Sequence, residues 1–178
     1  LLVIESRMQL FTENTITTVL PLASRPRAEY FFLTGRLWGV VLMANVVGGL
    51  VAALFHGTPV RIAATPVEHK AALQTLSALA ERNTVDLTLL KVDQRGRIDL
   101  GEIERLAGGG VRVFCVMRAN NEIGNIYPVP DIAKMVHACG GIVVTDATQA
   151  LGWIASDRPM YGADILVCSS HKIHGPKG

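Results

Sequence analysis

The sequence predicts an α/β fold built on a mostly parallel sheet with helices on both faces. Three observations carry this. Short apolar runs alternate with segments whose apolar residues fall at helical spacing. The runs are apolar nearly throughout, as in strands buried on both faces, and do not alternate with polar residues. The unusual polar residues gather just past the C-terminal ends of the runs, where open α/β sheets bind their ligands.

The elements follow in order. Residues 1–58 carry Thr, Pro and Arg among short apolar pieces, with a short aromatic strand expected at 29–34. The run 37–55 is apolar, with Asn45 as its one clearly polar member. It is long enough to span a bilayer, and Ala44, Gly48 and Ala52 recur every fourth position, as in closely packed membrane helices. Gly48-Gly49 weakens that run and the sequence beyond it is soluble in character, so a buried helix of a soluble domain is expected. From residue 59 the pattern becomes regular, and 59–178 is expected to form the ligand-binding core.

In that core, Val60–Ala64 reads as a strand and 66–83 as a helix, with Ala71, Leu73, Leu76, Leu79 and Ala80 at helical spacing. A strand at 85–92 leads into the turn Asp93-Gln94-Arg95-Gly96-Arg97. Asp99 can cap a helix running to about residue 106, which Gly108-Gly109-Gly110 stops. A strand at 111–117, apolar apart from Arg112, leads to the polar loop Asn120-Asn121-Glu122-Ile123-Gly124. A helix at 130–139 closes at Gly140-Gly141. Strands follow at 142–145, ending at Asp146, and at 164–168, ending at Ser169.

Composition excludes several classes of function. The 178 residues suffice for one domain with a core, and 49% hydrophobic against 18% charged residues excludes global disorder. A net charge of +2 with scattered Lys and Arg argues against nucleic-acid binding. Cys115, Cys139 and Cys168 show neither a zinc pattern nor a disulfide framework, which points to a reducing, cytoplasmic setting and to no metal site. The first residues lack the basic and apolar regions of a secretory signal. With no initiator Met and an end inside a motif, the chain is expected to be a piece of a longer protein.

Four strands deliver different chemistry to one edge. His69 follows the first strand, and Asn120 and Asn121 follow the strand at 111–117. Asp146 and Gln149 follow the strand at 142–145. Ser169, His171 and Lys172 follow the last. Each of these residues alone has an ordinary explanation as a turn, cap or surface residue. Together they match the needs of pyridoxal 5'-phosphate. A lysine joins the aldehyde, and a carboxylate holds the pyridine nitrogen protonated. A ring stacks on the cofactor face, while hydroxyl and imidazole groups hold the phosphate. Neither GxGxxG nor GxxxxGK[ST] occurs, which argues against the common dinucleotide and P-loop sites.

Four blocks carry a resemblance: Val67-Glu68-His69, Ala119-Asn120-Asn121-Glu122-Ile123-Gly124, Asp146-Ala147-Thr148-Gln149-Ala150, and the C-terminal stretch from Ser169 through His171, Lys172 and His174 to Gly178. In order and spacing they resemble the class V aminotransferase-fold cysteine desulfurases, with selenocysteine lyases as close relatives. The resemblance implies the large domain of a fold-type I pyridoxal-phosphate transferase. It implies that Lys172 carries the cofactor as a Schiff base and moves the substrate α-proton. It also implies that Asp146 pairs with the pyridinium nitrogen and that Gln149 bonds the phenolic oxygen. His69 would stack on the ring and assist proton transfer, Ser169 and His171 would bind the phosphate, and Asn120 would contact substrate and cofactor.

The reaction it implies converts L-cysteine to L-alanine and leaves sulfur on an enzyme cysteine as a persulfide, for iron–sulfur cluster or thio-cofactor assembly. A homodimer and sulfur-accepting partner proteins are implied as well. The family's sulfur-accepting cysteine lies on a loop beyond the lysine motif. Cys115, Cys139 and Cys168 do not match it, and the small C-terminal domain is not in this chain. The stretch alone is therefore expected to be inactive. Residues 1–58 match poorly: Thr34-Gly35 is followed by Leu37 and Trp38 where the family's phosphate-gripping segment has Thr and Glu. That departure and the run 37–55 motivate a competing expectation, a non-catalytic homologue acting as a partner or membrane-associated subunit.

Overall fold

The computed structural model describes residues 59–156, 159–169 and 172–173. The strand expected at 29–34, the apolar run 37–55, the Thr34-Gly35 stretch and His171 lie outside them.

The described chain runs β1 (Val60–Ala64), α1 (Lys70–Glu81), β2 (Val85–Leu89), α2 (Leu100–Gly108), β3 (Val113–Cys115), α3 (Val129–Ala138), β4 (Ile142–Asp146), a 3-10 turn (Pro159–Gly162) and β5 (Ile165–Val167). The strands form one sheet in the order β2-β1-β3-β4-β5, and each neighbouring pair is parallel. The α/β expectation thus holds, with helices on both faces. Alternate strand residues point to opposite sides. Ile62, Val113, Cys115 and Val144 pack with Leu76 of α1 on one face. Ala63, Phe114 and Val143 pack with Ile103 of α2 and Ile132 and Val136 of α3 on the other. Burying each large side chain of this kind contributes about 1.5–3 kcal/mol.

Most element ends fall close to expectation, and the differences have local causes. The first helix begins at Lys70 and not at 66, because Thr65 to Glu68 closes a turn in which the Glu68 amide donates to the Thr65 carbonyl at 3.3 Å. The expected strand 85–92 stops at Leu89, and Val92 instead forms an isolated antiparallel bridge with Ile98. The turn between them is held by Asp93, whose Oδ1 accepts from the amides of Arg95 (2.8 Å) and Arg97 (2.9 Å). Gly96 has φ +72° there, and a side chain at that position would collide with Ile123. The regular ladder of β3 is shorter than the predicted 111–117. Pairing nonetheless extends on both sides, with the Arg112 amide donating to Arg61 O and the Val116 amide to Val144 O, both at 3.0 Å. Asp99 caps α2 as expected, accepting from the Gly101 amide at 2.9 Å.

Candidate active site

The order of the strands opens the site. From β1 the chain moves outward to β2, and from β3 it moves the other way to β4 and β5. The order therefore reverses between β1 and β3, and the helices that follow β1 and β3 leave to opposite faces. Beyond the C-terminal ends of two such strands a crevice forms, the usual ligand position in open α/β sheets. The parallel pairing puts the ends of β1, β3, β4 and β5 on that same edge. His69, Asn120, Asp146, Gln149, Ser169 and Lys172 follow or end these strands, so the chain carries each of them to this side of the sheet.

His69 is exposed and caps α1, its Nδ1 accepting from the Ala71 amide at 3.2 Å. An imidazole rarely serves as this cap. The bond makes Nδ1 the acceptor, which leaves the proton of a neutral ring on Nε2. Ala71 and Ala72, in the first turn of α1, pack on Val167 at the end of β5. The helix start that presents His69 therefore lies over the strand that leads to Ser169 and Lys172.

Asp146 is the last residue of β4 and nearly buried, at 9% exposed. Its Oδ1 accepts from the Thr148 amide at 2.8 Å, which folds the chain into a turn carrying half-buried Gln149. Its main-chain oxygen accepts from the Arg118 amide at 2.8 Å, locking the end of β4 to the segment after β3. The Tyr161 hydroxyl supports the turn from beneath, donating to the carbonyls of Ala150 (3.1 Å) and Ile154 (2.9 Å). Arg118 lies over the Tyr161 ring at 5.1 Å and donates to the Tyr127 carbonyl.

The Asn120 side chain is largely engaged within the protein. Its Nδ2 donates to Val67 O at 2.8 Å, and its Oδ1 accepts from the amides of Glu122 (2.7 Å) and Ile123 (2.9 Å). It ties the loop after β1 to the loop after β3. Ser169 is half-buried, and Lys172 is exposed one turn further on, its amide donating to Ser169 O at 3.0 Å.

Sequence reasoning quoted Glu68 only as a member of a motif. The structure buries it, at 6% exposed, between the ends of β1 and β3. Its Oε1 accepts from Thr65 Oγ1 at 2.5 Å and from the Met117 amide at 2.7 Å. Burial pushes its carboxyl up to about 8, with the charge of Asp146 adding to the rise and the Thr65 and Met117 hydrogen bonds opposing it. In the sequence, Thr65-Pro66-Val67-Glu68 marks a turn ahead of the helix, but nothing in it says that the carboxyl is buried.

This set of groups fits pyridoxal phosphate. An exposed amine, a nearly buried carboxylate, a ring on a helix start and a hydroxyl past a strand end all follow strands that end on one side of the sheet. The side chains of His69, Asn120 and Asp146 are held there by backbone groups of their own or neighbouring segments.

The chain belongs to the aminotransferase class-V family, whose profile matches residues 44–178. A cysteine desulfurase from Nostoc sp. PCC 7120 is 39% identical over 117 residues, covering 66% of this chain and 29% of the relative. A NifS-like protein of known structure superposes with a TM-score of 0.69 at 34% identity, covering 79% of this chain and 38% of that one. The apo structure of a cysteine desulfurase from Thermococcus onnurineus NA1 superposes with a TM-score of 0.70 at 28% identity, over 79% of this chain and 34% of that one. The chain therefore spans well under half the length of the relatives it matches. Among the described residues, no helix is long and apolar enough to cross a membrane.

Proposed function

We propose that the protein to which this chain belongs is a pyridoxal-phosphate-dependent cysteine desulfurase. It would act as a homodimer in the cytoplasm and pass sulfur to acceptor proteins for iron–sulfur cluster or thio-cofactor assembly. This reading is supported by Asp146 ending β4, Lys172 following β5 and His69 following β1 on one side of the sheet, together with relatives named cysteine desulfurase.

When bound, the cofactor supplies an electron sink for the carbanion left by loss of the substrate α-proton. Lys172 would hold the cofactor by its aldehyde and would carry the substrate α-proton. Asp146 keeps the pyridine nitrogen protonated. Gln149 would donate toward the phenolic oxygen, and Ser169 and His171 would hold the phosphate. His69, fixed with its proton on Nε2, covers the ring and shields the site from water. Asn120 shapes the floor by joining the loops after β1 and β3.

The net exchange balances as L-cysteine plus an enzyme thiol giving L-alanine plus an enzyme persulfide. The C–S bond breaks, an S–S bond forms, and the α-carbon proton and thiol proton are redistributed to the product. Cys115 does not take the sulfur in this scheme. It is buried, and burial pushes its thiol well above the ordinary range, so the thiolate is disfavoured. Cys139 and Cys168 are likewise not assigned, and the acceptor cysteine is placed elsewhere in the protein.

The test is a product assay on the full protein loaded with cofactor. Alanine should appear from L-cysteine in step with sulfide released by a thiol reductant. Alanine from L-selenocysteine alone would make the protein a selenocysteine lyase. Alanine from neither substrate would exclude the proposal and favour a non-catalytic homologue.

A further inference from the structure

The assignments above leave one buried ionisable group at the edge without a role. We propose that Glu68 is a positioning residue of the cofactor site, clamping the turn that carries His69 to the end of β3 and so setting where the imidazole stands relative to Asp146. This rests on the cofactor reading given under Proposed function.

The geometry is specific. Glu68 immediately precedes the cap residue of α1, so any shift of its carboxyl swings His69. The carboxyl reaches from the turn after β1 to the end of β3, the point where strand order reverses and where the Thr65 amide already donates to Cys115 O at 3.2 Å. The Thr65 hydroxyl holds it from its own turn and the Met117 amide from the facing strand end. A second tie, Asn120 Nδ2 to Val67 O at 2.8 Å, runs in parallel to the residue just before Glu68. Two cross-links thus bracket Val67-Glu68 and hold the crevice wall at a fixed width.

The protonation state matters for this clamp. Glu68 and Asp146 are two carboxyls at one edge, and the cofactor needs the charge on Asp146. A neutral Glu68 leaves Asp146 as the single anion of the pair, and burial together with the Asp146 charge keeps Glu68 neutral at pH 7. The other titratable groups coupled to it are Cys115 on β3 and Tyr127 ahead of α3. Both thiol and phenol are raised, and the Glu68 charge is one of the causes for each. On ionising, Glu68 would place a second negative charge beside Asp146 and would strain the buried clamp.

The experiment measures pyridoxal phosphate affinity of the full protein between pH 6.5 and 9, for wild type, Glu68→Gln and Glu68→Ala. Folding of each variant is checked by circular dichroism. Below pH 7, Glu68→Ala should bind the cofactor at least about tenfold more weakly, because a buried acceptor site is emptied and His69 is freed. Glu68→Gln, which keeps a neutral acceptor oxygen of the same reach, should restore affinity to within about threefold of wild type. Above pH 8 wild type should lose affinity faster than Glu68→Gln. Parallel pH profiles for those two, or a folded Glu68→Ala with wild-type affinity, would overturn the positioning role. If wild type itself binds no cofactor, the functional reading fails first, and the two failures are told apart.

Discussion

Replacing Asp146 with asparagine in the full, cofactor-loaded protein is expected to lower kcat by about 10²- to 10³-fold while leaving the fold intact. The side chain does two jobs that this change separates. Its Oδ1 accepts from the Thr148 amide and shapes the turn carrying Gln149. Asparagine keeps that acceptor, so stability should stay within about 0.5 kcal/mol of wild type. What it removes is the negative charge that, in the proposed site, would hold a pyridine nitrogen protonated. Asp146→Ala should lose both, adding a stability cost of about 1 kcal/mol to the same kinetic loss. Steady-state kinetics beside denaturant unfolding reads the two effects apart. An active Asp146→Asn protein would reduce Asp146 to a turn residue.

The second large effect is on stability against pH. Glu68 stands at about 8 in the folded chain against an ordinary 4.5. Between those values the folded form keeps a proton that the unfolded form has lost. The stability contributed by Glu68 is therefore fully present below about pH 4.5, falls as pH rises through the interval, and levels off once the folded carboxyl has ionised near pH 8. The slope is about 1.4 kcal/mol per pH unit where only this group differs, so the summed loss is on the order of a few kcal/mol. Glu68→Gln should flatten the profile between pH 5 and 8, leaving Glu68→Gln relatively more stable at pH 8 than at pH 5. Denaturant midpoints at each pH measure this. Asp93, lowered chiefly by its hydrogen bond from the Arg97 amide, titrates below the window, and Tyr127, raised by burial, titrates above it. A wild-type profile no steeper than that of Glu68→Gln would contradict the burial of the charge-bearing group.

Much of the fold was legible because its strands are buried on both faces. Val60–Ala64 is apolar apart from Arg61, and Ile142–Asp146 is apolar up to Thr145, each with a polar residue at or just past its end, and that pattern locates both the strand and the sheet edge. Strand order was not legible. Nothing in the local sequence of β3 says that it pairs with β1, so the reversal at β1 and β3 that opens the crevice emerges only from the folded chain. Asp146 and Lys172 could be chosen because carboxylate and amine at strand ends have a chemistry in common. Glu68 could not, since a glutamate reads as a surface residue until burial by Met117 and Thr65 is seen. Asn120 was expected to face ligand, and its side chain is found joining two loops, a distinction that depends on where Val67 O lies in space.

The central claim is that Lys172, exposed beyond β5, is the amine to which the cofactor is joined. The most direct measurement is to add pyridoxal phosphate to the full protein, reduce with borohydride and map the modified peptide by mass spectrometry. Wild type should show a Schiff-base absorbance that is absent in Lys172→Ala, and a reduced adduct on Lys172. An adduct on another lysine, or an absorbance that survives in Lys172→Ala, would contradict it.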